Sequence, residues 1–141
     1  MDENLIMTLK EKAESLYQQE DFLCSEAVLW VINDYLGWPL PQECVRLASG
    51  FPVGIGGAGC TCGALTGAIM SLGLKYGRTD PRQNNEKIMA LSNEIHNEFK
   101  AQFKSTCCRI LTRDFQFGSP DHLKHCVHVT GAATVMALKR L

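Results

Sequence analysis

Residues 50–77 read GFPVGIGGAGCTCGALTGAIMSLGLKYG, and how this stretch is buried decides the fold. Between Arg46 and Lys75 no side chain carries a charge. So long an uncharged stretch must be buried, in protein or in lipid. Its first half is a glycine run, Gly54, Gly56, Gly57 and Gly59, that leads into two thiols, Cys60 and Cys62. Its second half is apolar as far as Leu74. Gly59, Gly63 and Gly67 are spaced by four, which on a helix makes one smooth face with Ala64 and Ala68 beside it. Another backbone can approach such a face closely, while Leu65, Ile69 and Leu72 fill the opposite side. The same spacing packs helices in membranes. However, the continuous helical part is shorter than the roughly 20 apolar residues a bilayer needs. Glycines and Pro52 crowd the first half, and basic flanks and aromatic belts are missing. The expectation is a glycine-rich central helix buried in a soluble domain, not a membrane-spanning one.

Upstream, Leu5, Leu9, Ala13 and Leu16 with Tyr17 recur at helical spacing, with Lys10, Glu11, Lys12 and Glu14 outside. Asp21 reads as the cap of a second helix over 22–36, which Gly37 and Pro39 end. Its inner face is Cys24, Ala27, Val28, Val31 and Tyr35. A cysteine there is commonly a small buried hydrophobe. A short helix over 41–49 carries Cys44, read as incidental and near the surface.

Downstream, Thr79-Asp80-Pro81 is a cap-then-proline start for a long helix with the stripe Ile88, Leu91, Ile95, Phe99 and Phe103. Carried past Phe103, the stripe brings Cys107 and Ile110 to the core. A break near Ser105-Thr106 would instead give that place to Cys108 with Leu111. Ser119-Pro120-Asp121 repeats the start signal for a last helix to about Lys139, whose inner face is His122, Cys126, Val129, Ala133 and Met136. No segment alternates with a strand period over any length. The fold class expected is all-α: a compact single domain over 1–141, a bundle of about five or six helices around the central one.

Hydrophobic content of 45% and charge of 21% are globular values. A net charge of −1 argues against a nucleic-acid partner, which asks for a basic patch. No cationic segment followed by an apolar run marks a secretory signal at the amino end, so a reducing, cytoplasmic location is expected. Seven cysteines in such a compartment are odd in number and unsuited to a static disulfide scaffold. They point to metal binding, redox exchange or both.

Cys60 and Cys62 follow the glycine run and open a helix, where free backbone N–H groups and the helix dipole favour a thiolate. A lowered pKa and raised reactivity are therefore expected. The same geometry would present a thiolate to a metal. The bland reading is two small residues tolerated at a packed helix start. One intervening residue is not the thioredoxin spacing, and the glycine run lacks the Lys-Ser/Thr of a P-loop. In His122-x-x-His125-Cys126-x-His128, His122 and Cys126 lie one helical turn apart and can chelate a metal, while His125 and His128 share an adjacent, solvated face. Set against this, His122 is also an ordinary polar residue for a first turn. There is no Cys-x-x-Cys-His for covalent haem and no doubled Cys-x-x-Cys for structural zinc. Carboxylates and serines form no acid/base constellation; Asp114 and Asp121 read as turn and cap.

Taken together, the pattern resembles a bacterial and archaeal family of redox-active proteins of similar length, named for a Cys…Gly-Cys-Ala-x-x-Gly…Cys…Cys signature. The matching pieces are Cys24 in CSEAVL, the block Cys62-Gly63-Ala64-Leu65-Thr66-Gly67, Cys107 or Cys108 before Arg109-Ile110-Leu111, and Cys126 in CVHV. Here the block reads Cys-Gly-Ala in place of Gly-Cys-Ala. Cys108-Arg109-x-Leu111 is the better match for the third cysteine, and Cys44, Cys60 and Cys107 are additions. The resemblance implies that Cys24, Cys62, Cys108 and Cys126 act together.

Two versions of a redox function follow. In one, convergent cysteines cycle between dithiol and disulfide with an unidentified redox partner protein, Cys62 attacking and Cys60, Cys24, Cys108 or Cys126 resolving. In the other, Cys24, Cys62, Cys108 and Cys126, with His122 as an extra ligand, hold a redox metal centre: an iron–sulfur cluster or a soft metal ion such as copper(I) or zinc. The alternative from another class is a non-enzymatic metal-binding or helical interaction module with structural cysteines. The smooth glycine face would also suit a homodimer.

Overall fold

Asp2 opens the first helix by accepting the Asn4 N–H, and the chain then stays helical for most of its length. The computed structural model describes residues 1–19 and 21–141. Among the described residues the elements are α1 (Glu3–Gln18), α2 (Cys24–Tyr35), a 3₁₀ helix (Gln42–Ala48), α3 (Pro52–Ile55), α4 (Gly63–Tyr76), α5 (Glu86–Phe103), α6 (Cys108–Leu111) and α7 (Pro120–Leu138). The all-α expectation stands. Five of these helices are long; α6 is a single turn of four residues, and α3 is helical in hydrogen bonding only, since Val53, Gly54 and Ile55 in it have positive φ. No described helix is long and apolar enough to cross a membrane.

In α1 the expected inner face holds except at its first position, where Ile6 takes the place of Leu5. Ile6, Leu9 and Ala13 are buried, whereas Leu5 is exposed. This helix packs on α7 and α2. In α2 the start is not capped by Asp21, as expected, but lies at Leu23, whose N–H is accepted by Glu26 Oε1 one turn on. That carboxylate supplies only one half of a capping box, because Leu23 has no side-chain acceptor for the first-turn amides.

Helix α4 packs against α2, α5 and α7. It begins only at Gly63, so Gly59 belongs to the loop before it and the expected three-glycine face is reduced to Gly63 and Gly67. Those two carry the close approach. A Cβ on Gly67 would stand 2.8 Å from both Cα and O of Ser25, and one on Gly63 would stand 2.5 Å from Cys24 Sγ. The start of α2 therefore lies directly on the start of α4, and Ser25 Oγ donates to the Ala48 carbonyl to hold the 3₁₀ helix there too.

The start of α5 corrects a second expectation: the helix begins at Glu86, not after Thr79-Asp80-Pro81. There the Asp80 carboxylate accepts the Arg82 N–H and guanidinium, and Gln83 Oε1 accepts the Thr79 and Asp80 N–H groups. Local side-chain bonding closes a turn before a helix can propagate. At its other end α5 stops at Phe103, with Lys104 in the left-handed region at φ 69°. The chain breaks here, so Cys108 with Leu111, not Cys107 with Ile110, continues inward. Ser119 caps α7 by accepting the His122 N–H, with Pro120 in the first turn, as expected.

The core is built from Val28, Val31, Ile32, Leu65, Leu72, Ile95, Phe99, Val129 and Met136. Burial of each large side chain of this kind contributes about 1.5–3 kcal/mol.

Candidate functional site: a thiol-lined cavity

The glycine run forms a left-handed turn. Val53, Gly54, Ile55 and Gly56 all have φ between 58° and 69°. Gly54 is there for space as well as for its φ, because a Cβ on it would lie 2.5 Å from Cys60 N and 2.8 Å from Cys108 Cβ. Its carbonyl accepts the Cys60 N–H. The loop thus folds back on itself and onto α6 at once.

From this loop the chain makes a single antiparallel rung, Thr61 opposite Cys107. The Cys62 N–H donates to the Thr106 carbonyl, and the Cys108 N–H donates to the Cys60 carbonyl. Side chains alternate across such a rung. Cys62 and Cys108 therefore share one side, and Cys107 points the other way, its thiol donating to the Gly59 carbonyl at 3.0 Å.

The shared side opens on a cavity of about 320 Å³. Cys24 enters it as the first residue of α2, Cys62 from just before α4, Cys108 as the first residue of α6, and Cys126 from the second turn of α7. Tyr17, Thr112, His122, His125 and Thr130 are polar parts of its wall; Leu23, Val53, Leu111, Leu123 and Val129 are apolar parts of it. The structure brings these four cysteines together around one space and leaves three out. Cys60 is exposed and off the cavity, Cys107 faces away, and Cys44 sits on the 3₁₀ helix near Asn33.

Burial dominates the electrostatics. It pushes the Cys62 thiol up to about 12, although the Ala64 and Leu65 amides at the start of α4 pull the other way. The lowered pKa expected of a helix start is thus overturned. At 8% exposure the thiolate loses more hydration than two amides return. Burial first, then neighbouring Cys62, raises Cys24 as well. Cys108 is raised by burial and by Cys107. Cys126 is raised by burial, with the Tyr17 hydroxyl beside it working in the opposite direction. Tyr17 is itself held far above its ordinary value by burial and by the thiols around it.

His122 is the best-defined polar group. Its Nδ1 accepts the Gly118 N–H at 3.2 Å, so a neutral ring carries its proton on Nε2. That Nε2 stands 3.7 Å from Cys126 Sγ, and Phe117 packs on the ring. His125 was expected in solvent with His128. Instead it is half-buried, stacks on Phe115 and lines the cavity, its Nε2 buried without a partner. His128 is exposed against the edge of Phe103.

Tyr17 escaped the sequence reading, where it counted only as part of an apolar stripe. The available signal was its hydroxyl, since a tyrosine on an inner face must find that group a partner. Among the described residues no three His, Cys, Asp or Glu donors stand close enough together to hold a metal ion. The thiols surround a space and do not converge on a point.

Fold and site together define a helical protein with a recessed cluster of thiols. The chain belongs to the family described as "Putative redox-active protein (C_GCAxxG_C_C)", which matches residues 22–139. No curated protein and no solved structure matches it.

Proposed function

We propose that the protein carries out thiol–disulfide exchange in this cavity, through Cys24, Cys62, Cys108 and Cys126. The observation behind the proposal is that four cysteines remote in sequence line one space, while Cys44, Cys60 and Cys107 do not. Cys126 is the attacking sulfur, because it alone has both a His122 Nε2–H and the Tyr17 hydroxyl beside it to hold a thiolate. Cys62, more deeply buried, becomes one of the resolving thiols with Cys24 and Cys108.

The exchange is a two-step displacement. Cys126 Sγ attacks one sulfur of an acceptor disulfide, the acceptor S–S bond breaks, and the first thiol departs with the proton Cys126 gave up. A second cavity thiol then gives up its own proton and attacks Cys126 Sγ, the mixed disulfide breaks, and the second acceptor thiol departs with that second proton. Two protein S–H groups become one S–S bond and the acceptor gains two electrons and two protons.

Counting free thiols before and after mild oxidation tests the proposal. Wild-type protein is expected to lose thiols in pairs within one chain and to regain them with dithiothreitol. A variant with all four cavity cysteines changed to serine, checked for helicity, is expected to lose none within the chain. Equal losses from the two proteins would overturn it.

A further inference from the structure

We infer that the oxidant admitted to the cavity is a small uncharged molecule with a polar group, and not a protein disulfide or a charged thiol compound. The inference rests on the exchange reading above and adds the class of acceptor.

Size comes first. A space of about 320 Å³ is on the scale of a pocket for a small molecule. The thiols are recessed in it: Cys62 is 8% exposed, and Cys24, Cys108 and Cys126 are half-buried. A protein disulfide needs a sulfur it can reach at the surface, and the exposed cysteine, Cys60, lies outside.

Charge comes second. Among the described residues no Lys, Arg, Asp or Glu lines the cavity. An ionised group carried inside would shed water and meet no counter-charge, which is strongly unfavourable. At the opening stand Leu23 and Phe117, 45% and 70% exposed, so the approach is apolar as well.

The third observation is His125. The residue lines the cavity, and its Nε2 is buried with no hydrogen-bond partner. Burial holds this ring below its ordinary pKa, hence neutral at pH 7. An unpartnered neutral imidazole nitrogen is satisfied by an uncharged hydroxyl or amide, and its single hydrogen bond is far too little to replace the hydration shell that a cation or an anion would lose. A compact disulfide bearing hydroxyl groups meets all three conditions.

The test compares three disulfides of similar size: hydroxyethyl disulfide (uncharged), cystamine (cationic) and dithiodipropionate (anionic). Fully reduced protein is mixed with each, quenched by alkylation, and every cysteine is followed by peptide mass spectrometry. The exposed Cys60 serves as internal reference, cancelling differences in intrinsic reactivity. The ratio of cavity-cysteine to Cys60 oxidation is expected to be at least ~tenfold higher for the uncharged reagent than for either charged one. In Leu23→Lys, a change at the rim, the anionic reagent should recover part of that deficit. Cavity oxidation with the same ratio for all three reagents would overturn this inference and leave the exchange reading standing. No cavity oxidation by any of them would overturn both.

Discussion

His122 holds its Nε2 at 3.7 Å from Cys126 Sγ because Gly118 N–H occupies the other ring nitrogen. A backbone amide thereby decides which nitrogen carries the proton that meets the sulfur. Hydrogen bonds to a charged acceptor are worth about 1.5–3 kcal/mol. His122→Phe should therefore slow alkylation of Cys126 near neutral pH by about tenfold or more and move its pH profile upward. Cys108 should be unaffected, and His122→Gln should restore part of the rate. A uniform change in all cavity thiols would mean that His122 only supports the fold.

The close contact of α2 with α4 makes Gly67 intolerant of a side chain. In Gly67→Ala the new methyl would meet Ser25 backbone atoms at 2.8 Å, which cannot swing aside. A loss of about 1–3 kcal/mol is expected in urea unfolding. Gly63→Ala faces Cys24 Sγ at 2.5 Å and the Phe51 carbonyl at 3.2 Å, so it should also displace the Cys24 thiol. Its mark would be a changed rate of Cys24 alkylation relative to Cys126.

Raised thiol pKa values link stability to alkaline pH. The Cys62 thiol is pushed from an ordinary 9.0 up to about 12. Below 9 the folded and unfolded chains both hold this proton, and its contribution to stability is fully present. Between those values the unfolded chain has lost the proton while the folded chain keeps it, so stability falls as pH rises, by about 1.4 kcal/mol per pH unit for each such group. Unfolding midpoints measured from about pH 8 to about pH 11 should drop steeply. In Cys62→Ser the slope should be shallower; an unchanged slope would contradict the burial of Cys62.

The left-handed turn offers a gain. Ile55 is 49% exposed and holds φ 69°, a conformation that strains a β-branched residue by roughly 1–2 kcal/mol. Ile55→Asn, a residue at ease in that region, should raise the unfolding midpoint by up to about 1 kcal/mol in stability. A destabilised variant would show that Ile55 makes packing contacts that outweigh the strain.

Helical periodicity made the all-α class legible, along with the inward placement of Cys24, His122 and Cys126. A face repeated every three or four residues is a local property that one sequence displays. Ser119-Pro120 marked the start of α7 for the same reason. Thr79-Asp80-Pro81 misled because the motif says nothing of whether Arg82 and Gln83 will take the capping groups first. The rung between Thr61 and Cys107, which puts Cys62 beside Cys108, joins segments 46 residues apart and leaves no local trace. The reversed pKa of Cys62 has a similar origin. A helix start is visible in sequence, but the depth at which it is buried is set by segments remote in sequence, among them those that carry Cys108 and Cys126.

Disulfide mapping after limited oxidation of the reduced protein tests the exchange mechanism most directly. The expected product is an S–S bond within one chain joining two of Cys24, Cys62, Cys108 and Cys126, reversible with dithiothreitol. If all four remain free while bonds form only through Cys44, Cys60 or Cys107, or only between chains, thiol exchange in the cavity is contradicted.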